Sequence, residues 1–451
     1  MADGDADDNL ESNSESSAEE DIEMLVNLQD SESMSDENAE SDVEEENNVV
    51  DEETKIKFDQ SLPSSHTYLG EEMNDVLGRT VMEEDNVVSI PLISLPNLLV
   101  PGETLPLHTF NPQIVLMMKN IVDHNNTFGV VTEEHRFPVY SEDDVKRMTG
   151  TTCEVYSMRE ECNGGFTTIF IKAMVRKRFQ VLSIKTQLDG VRLGTVRIQP
   201  DIVLPAYPNA LTQYVGYKRS VTNHHQAINK LNRVSHRKNI PSSSAWPSWV
   251  YELYNPYLLM ARIKQELTSW KADLNTEKLP DDVTEFSYWV THNLPLDNGN
   301  RHLLLKMNSP VERLRKQLDL IQKYGIMTCN YCRSIIADKK DLFSMSSTGL
   351  MGSYVNPGGI VHETITFHKA KCLRLRGSSS TEHSWFPGYA WTIAECKACG
   401  SHMGWKFTAV NKKLIPSKFW GLTRASLCPS FRKDEGVNQS SYRNYSVHIY
   451  N

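Results

Sequence analysis

The sequence predicts an α+β multidomain fold. A disordered acidic N-terminus precedes a small antiparallel sheet that closes on itself and carries helices; a mainly β domain clamped by zinc follows. Three observations predict this. Residues 1–54 contain 22 Asp or Glu and no Lys or Arg. From about 127 to 204, apolar and polar residues alternate with period two, the pattern of half-buried strands. Two Cys-x-x-Cys pairs, Cys329/Cys332 and Cys396/Cys399, bracket the C-terminal stretch.

The acidic leader comes first. Of the formal charge of −11, none of the deficit lies beyond it: after residue 54 there are 36 acidic against 47 basic side chains, about +11. A Ser-rich acidic segment with few aromatics cannot bury enough apolar surface to offset the entropy of ordering. Disorder is therefore expected over 1–85, with solubility, phosphorylation or a basic partner as its uses. The later positive charge is scattered over RMTG, VRKRF, SHRK and ERLRK and forms no stripe, so direct nucleic-acid binding is not expected. No basic segment followed by an apolar run opens the chain, and no stretch approaches the ~20 apolar residues of a membrane span. An intracellular, non-membrane protein is expected, in a compartment where paired cysteines hold metal more often than they form disulfides. The 451 residues leave room for two or three domains.

The sheet and its helices come next. VVSIPLISLPNLLVPGETLPLHTF (87–110) has short apolar runs broken by Pro and Gly, which predicts strands and turns. NPQIVLMMKNIVDHN (111–125) has helical spacing, with Ile114, Met117, Met118 and Ile121 on one face. TFGVV, TTCEVYSMRE, GFTTIFIKAMVRKRFQVLSI and VRLGTVRIQPDIVLP alternate as strands. Residues from about 204 are helical in character but loosely patterned, and break at IPSSSAWPSW. A helix then starts at Asn255 as N-cap with Pro256 in the first turn, and buries Leu259, Ile263, Leu267 and Trp270. Another starts at Ser309-Pro310 with Glu312 completing a capping box; its face is Val311, Leu314, Leu318 and Ile321. Tyr324-Gly325 is the expected joint. Strands and turns follow to about 428. There is no internal repeat.

Two residues between cysteines let both thiolates point at one centre, and two such knuckles supply four sulfurs at about 2.3 Å, a closed structural zinc site. The separation of the pairs is too long for a small DNA-reading finger, so the metal joins the two ends of a sheet-rich domain. A redox pair or disulfide is the competing use. Cys153, Cys162, Cys372 and Cys428 have no partner at ligand spacing and are expected as buried small hydrophobes.

Between the knuckles, STEHSWFPGYAW (380–391) concentrates aromatic surface around a Pro-Gly turn. Trp385 precedes the turn, Trp391 follows it, and Trp405 lies on the next strand with Phe407 on the same face. Such a cluster is either core or a box. Interleaved Ser, Glu, His, Pro and Gly favour a box, with His383 able to donate and accept at its rim. A box could grip a cation through its ring faces, as a methyl-lysine reader does, or hold a small flat neutral ring whose polar edge is satisfied by His383 and backbone groups.

HSWFPGYAW, CKACGSHMGWKF and KFWGLTR resemble the cereblon family, the substrate receptors of cullin-RING ubiquitin ligases. SIPLISLPNLLVPGETLPLHTF resembles the opening of the Lon protease N-terminal domain carried by that family, and YVNPGGIVHET matches the loop before its aromatic pocket. The resemblance covers roughly 86–431. It implies a Lon N-terminal-like small β-barrel over 86–322 with a helical insert at about 204–255, a thalidomide-binding CULT (β-tent) domain over 323–431, and a flexible tail at 432–451. By resemblance, one structural zinc sits on Cys329, Cys332, Cys396 and Cys399. The three-tryptophan cage falls on Trp385, Trp391 and Trp405 with Phe407 as floor. His383 and the Trp385 backbone N–H would contact a cyclic imide, and Asn356 and Pro357 would form a rim loop. The implied ligand is a glutarimide or aspartimide, made when a C-terminal Gln or Asn cyclises, or presented by thalidomide-like drugs. The implied partners are degron-bearing substrate proteins and damage-specific DNA-binding protein 1, the β-propeller adaptor of the cullin-4 RING ligase, docking on the insert. The implied setting is cytoplasm and nucleus. Ile393 stands where the family varies between small β-branched residues.

No Gly-x-x-x-x-Gly-Lys-Ser/Thr loop occurs, so the Lon resemblance brings no ATPase, and nothing identifies a Ser-Lys protease dyad. A zinc-bearing methionine sulfoxide reductase is the enzymatic alternative; it needs a nucleophilic cysteine in the pocket, and neither Cys372 nor Cys428 lies in the aromatic segments. A non-catalytic receptor is expected.

Overall fold

The computed structural model describes residues 55–70, 72–78, 80–132, 145, 148–203, 252–270 and 279–430. The leader up to residue 54, nearly all of the expected insert at 204–255 and the tail at 432–451 lie outside these residues.

Alternation builds the first sheet. The elements are β1 (Ile56–Lys57), α1 (Ser61–Ser65), β2 (Asn74–Asp75), β3 (Val87–Leu95), β4 (Thr104–Thr109), α2 (Pro112–Val122), β5 (Thr127–Thr132), β6 (Thr149–Asn163), β7 (Phe166–Thr186) and β8 (Arg192–Ile198). Seven strands pair in the order β2-β6-β5-β3-β8-β7-β4, and a further β6–β7 pairing closes the sheet on itself. One pairing departs from the antiparallel expectation. β3 and β5 run parallel, Leu92 opposite Gly129, because β4 and α2 intervene as a crossover. The inward residues of β4–β7, Leu105, Phe128, Val155, Ile169 and Ile171, pack against Met117, Met118 and Ile121 of α2. Burying each such side chain stabilises by about 1.5–3 kcal/mol. Ile114 is only half-buried, and Val115 takes the core position beside it. Gly150 is required: a Cβ there would lie 2.6 Å from the Phe179 ring, with backbone crowding it from the other side.

The helices are α3 (Pro256–Ser269), α4 (Val283–Asn293), α5 (Asn298–Lys306) and α6 (Pro310–Lys323). Asn255 caps α3 by accepting from the Tyr257 N–H at 3.0 Å, and Ser309 caps α6 by accepting from the Glu312 N–H at 3.4 Å. All four α6 face residues and the α3 stripe are buried as expected. Both helices join one apolar cluster with Met327, Ile336, Ile365, Phe367 and Leu422 of the following domain. Tyr324-Gly325 is thus a chain crossing within a shared core; the Gly325 N–H also donates to the Ser430 carbonyl at 3.1 Å.

The last part comprises β9 (Ile326–Cys329), β10 (Ile335–Asp338), β11 (Met351–Val355), β12 (Val361–Phe367), β13 (Leu373–Ser380), β14 (Tyr389–Cys396), β15 (His402–Ala409), β16 (Leu414–Ile415), β17 (Lys418–Thr423) and β18 (Leu427–Ser430). Six strands pair as β11-β12-β17-β15-β14-β13 and three as β10-β9-β18.

Order begins earlier than residue 86. β1 pairs parallel with β16, and Phe58 is buried with its ring 5.4 Å from Tyr389. Leu69 is buried against the barrel. These few apolar anchors in KIKFDQSLPSSHTYL are diluted when composition is averaged over the whole leader. The expectation for the lone cysteines is also corrected. Cys153 is fully buried, but Cys162 and Cys372 are exposed and Cys428 is intermediate. Cys162 sits beside the β6–β7 hairpin turn and Cys372 in a left-handed turn entering β13, neither of which has a core behind it.

Candidate functional site

The cysteine knuckles are near copies of one another. In each, the residue after the second cysteine has positive φ, Arg333 at 63° and Gly400 at 75°. That residue's N–H donates to the first cysteine's carbonyl: Arg333 to Cys329 at 3.0 Å and Gly400 to Cys396 at 2.9 Å. The first cysteine's N–H donates to a serine carbonyl, Cys329 to Ser334 at 2.8 Å and Cys396 to Ser401 at 2.9 Å. The same serines place hydroxyls 3.3 Å from the Cys332 Sγ and 3.2 Å from the Cys399 Sγ. Both knuckles share the pattern Cys-x-x-Cys-x-Ser, whose serine the fold shows to be a partner of the sulfur.

All four Sγ atoms lie within 4.8 Å of one another, with 3.7 Å between Cys329 and Cys399 and 3.5 Å between Cys332 and Cys396. A tetrahedron with Zn–S bonds of about 2.3 Å has edges of about 3.8 Å. The donor set and spacing fit one structural zinc, with the serine hydroxyls orienting two of the sulfurs. Four thiolates leave no open position for catalysis. Hydrogen bonds from Ser334 bring the Cys332 thiol down to about 6, whereas burial pushes Cys396 up to about 12.

The hairpin of β14 and β15 runs out from this knuckle and carries the aromatic residues. Trp391 pairs with Phe407 and Ile393 with Trp405, so these four share a face of the sheet. Trp385 comes from the preceding loop, where the Tyr389 N–H donates to the Phe386 carbonyl at 3.0 Å and Gly388 takes a φ of 88°. Trp385 meets Trp405 edge-to-face at 4.7 Å and stacks on Tyr354 at 5.2 Å. Two indole N–H groups are tied to backbone: Trp385 to the Val355 carbonyl at 3.2 Å and Trp391 to the Glu382 carbonyl at 2.8 Å. Their ring orientations are thereby set.

The core and box readings separate by depth. Phe407 is 1% exposed and stacks on Phe419 at 4.9 Å, with Phe386 edge-on at 4.8 Å; these rings are core. Above them Trp391 and Trp405 stay partly exposed, and no ring contact joins Trp391 to the other indoles among the described residues. His383 is exposed at the edge, with a φ of 52° and its Nε2 3.5 Å from the Glu382 carboxylate. Asn356 reaches the aromatic group through His362: Asn356 Nδ2 lies 3.4 Å from His362 Nε2. Asn356 also accepts from the Ile360 N–H at 2.8 Å, closing the loop that bears the exposed Pro357. Two histidines unmarked by local pattern flank Trp405, His362 at 5.1 Å and His402 at 4.9 Å. Burial lowers His362 to about 4, so it is neutral near pH 7.

A Lon-type β domain joined to a zinc-binding β domain is the class that fold and site define. The model of the ATP-dependent protease La (LON) substrate-binding domain matches residues 89–323, and that of Yippee zinc-binding/DNA-binding /Mis18, centromere assembly, matches 326–441. Protein cereblon of Danio rerio is 43% identical over 401 residues, which span 87% of this chain and 92% of the relative. Protein cereblon of Gallus gallus is 42% identical over 394 residues, 84% of this chain and 86% of the relative. That of Xenopus tropicalis is 43% identical over 399 residues, 84% and 87%. The chain belongs to the cereblon family. A solved Lon N-terminal domain protein from Xanthomonas campestris, with a TM-score of 0.31 and 17% identity over 51% of this chain and 98% of that one, adds no weight. No helix among the described residues is long and apolar enough to cross a membrane.

Proposed function

We propose that the protein is a non-catalytic substrate receptor of a cullin-4 RING ubiquitin ligase. Its box of Trp385, Trp391 and Trp405, floored by Phe407, takes a cyclic imide and presents the bearer for ubiquitination and proteasomal degradation. The observation that supports this most is the pair of partly exposed indoles standing over a sealed phenylalanine layer. An imide is flat and neutral, with one N–H between two carbonyls. Indole walls remove water from its methylenes while His383, the Trp385 backbone N–H and the Asn356-Pro357 loop read its edge. An open-chain amide would leave part of that pattern unpaired, at about 1–3 kcal/mol for each buried group. At about 1 kcal/mol per heavy atom, a ring of about eight such atoms reaches only about micromolar affinity. Weak, transient capture suits a receptor that releases what it delivers.

Glutarimide and aspartimide termini and thalidomide-like drugs all present this ring. Trp391→Ala should weaken glutarimide binding by at least ~100-fold in calorimetry, since it removes one wall of the box. Zinc content should be unchanged. Wild-type affinity in that variant rules the box out. A methyl-lysine reader is the second reading, since the exposed Glu382 lies beside the box; binding of a trimethyl-lysine peptide but no glutarimide would decide for it. A reductase is less well supported, because neither Cys372 nor Cys428 belongs to the aromatic cluster; turnover of methionine sulfoxide would reverse that.

The adaptor, damage-specific DNA-binding protein 1, would dock on 204–255, and the complex would work in cytoplasm and nucleus. Deleting 215–245 should abolish co-purification with the adaptor while leaving glutarimide affinity intact. Persistent pairing would place the contact elsewhere.

A further inference from the structure

The face of the sheet that carries the box continues past it towards the zinc knuckle. β13 is the last strand of that sheet; Ser380 lies opposite Trp391, and Arg376 lies opposite Ile393. Residues directly opposite share a face, so Arg376 stands on the box side, and Arg374 joins it by alternation. The neighbouring ladder sets Ile393 against Trp405 and Glu395 against His402, whose ring is 4.9 Å from the Trp405 indole. Indoles and guanidiniums therefore belong to one surface.

Both guanidiniums are fixed by one carboxylate and stay open to solvent. Glu395 Oε2 accepts from Arg374 Nε at 3.0 Å and Nη2 at 2.8 Å, and Glu395 Oε1 accepts from Arg376 Nη1 at 3.2 Å. The Glu395 side chain is 9% exposed, whereas those of Arg374 and Arg376 are 57% and 69% exposed. Two cations share one anion, so the group keeps a net positive charge. Arg376 engages only Nη1 among the described residues, which leaves its planar fork oriented and ready for a second carboxylate. Charge along this edge changes sign: Glu382 is exposed beyond Trp391, and Lys371 and Lys397 are exposed at the knuckle end. The backbone is open as well. The Lys397 N–H donates to the Cys372 carbonyl at 2.8 Å, so by alternation Arg374 and Arg376 bond towards β14, and Leu375, 45% exposed, turns its N–H and C=O outward. Edge strands carry charges to block stray pairing. Here both charges turn to one face, which leaves the edge to a chain that matches them.

We propose that this strip reads the chain that bears the ring: an extended acidic segment lies along β13, with its carboxylates on Arg376 and Arg374 and its backbone on Leu375. The inference deepens the reading of the box as a cyclic-imide receptor and rests on it. Ile393 is two residues from Trp391, and an extended chain advances about 3.3 Å per residue, so the matching Asp or Glu stands about two to five residues before the cyclised terminus. Glu382 repels such a chain from the other end, which directs it towards the knuckle.

Calorimetry on the full-length protein tests this with peptides that end in a glutarimide and carry Asp, Ala or Lys at those upstream positions. Free glutarimide and the Asp peptide with an open C-terminus are measured beside them. The Asp peptide should bind about fivefold or more tighter than the Ala peptide, the Lys peptide should bind weakest, and the gap should shrink at high salt. Arg376→Gln should narrow the gap while leaving free glutarimide affinity and the melting temperature unchanged, because Arg374 still holds Glu395. Arg376→Glu should favour the Lys peptide over the Asp peptide. Equal affinities for the three peptides, with free glutarimide still binding, overturn the proposal and leave the box standing. No binding of free glutarimide overturns both. An open-ended Asp peptide that binds as tightly as its cyclised form overturns the link to the box and gives the strip to a separate acidic partner.

Discussion

Cys396→Ser should strip the zinc and unfold the C-terminal domain while the β-barrel keeps its structure. The reason lies in where the metal sits on the chain. Cys396 is the last residue of β14, and only the knuckle separates it from β15. The β14–β15 ladder already shifts register between Ala394 and Glu395, where Glu395 faces His402 in place of the next residue in sequence. A ladder leaving an irregular point needs an anchor, because a slip of one residue turns every side chain to the other face of the sheet. Such a slip would move Trp405 and Phe407 from the aromatic side to solvent. Zinc binding stabilises finger peptides by about 10–16 kcal/mol, as much as whole domains are stable. The expected result is zinc loss by atomic emission, disappearance of a cooperative transition, and loss of glutarimide binding. Circular dichroism should still report the barrel strands. A strong chelator should reproduce all of this in the wild type. Retention of the transition and of glutarimide affinity after complete zinc removal would show that the ladder holds its own register.

What could be read along the chain was whatever lies close together in it. Asn255 with Pro256, Ser309 with Glu312, and each Cys-x-x-Cys carry their chemistry within a turn, and all appear in place. The aromatic face was legible for the same reason, since period two puts Trp405 and Phe407 together without reference to anything distant. α4 and α5 were missed: VTEFSYWVTHN is covered on several sides, and NGNRHLLLK buries the charged Arg301 with Leu304 and Leu305 while Leu303 stays exposed, so no single apolar stripe marks either. His362 and His402 were missed because nothing local distinguishes a histidine beside a ring from one in solvent. Asn356 was placed at the rim by resemblance, and in the fold it meets the aromatic group through His362. Nearly all of the insert assigned to adaptor binding lies outside the described residues.

The same limit hid the ion cluster that supports the second large expected effect. Glu363→Ala should destabilise the protein by about 3–5 kcal/mol, a large share of the 5–15 kcal/mol typical of a domain. Nothing in the local pattern marks Arg301, Glu363 and Arg424 as partners, yet they are 0%, 2% and 4% exposed. Glu363 accepts from Arg301 Nη1 through one oxygen, and from Arg424 Nε at 2.8 Å through the other. Arg301 also reaches Glu103 at 3.3 Å, so the cluster joins the loop before β4, α5, β12 and the turn after β17. Alanine would leave two guanidiniums buried without their shared counter-charge, which costs more than the ion pairs themselves contribute. Burial alone would raise the Glu363 carboxyl, but the two guanidiniums overcome it and bring it to about 2. A folded value below the ordinary 4.5 means that this stabilisation is complete above about pH 4.5 and is lost as pH falls towards about 2. Glu363→Gln should therefore lower stability near neutral pH and flatten that acid-side slope in denaturant titrations. A loss below about 1 kcal/mol for Glu363→Ala would mean that water or rearrangement satisfies the arginines. Because neighbouring residues on a strand point to opposite faces, His362 meets Trp405 while Glu363 faces the arginines. Under conditions where Glu363→Gln remains folded, its glutarimide affinity should match the wild type, which separates the support of the box from the box itself.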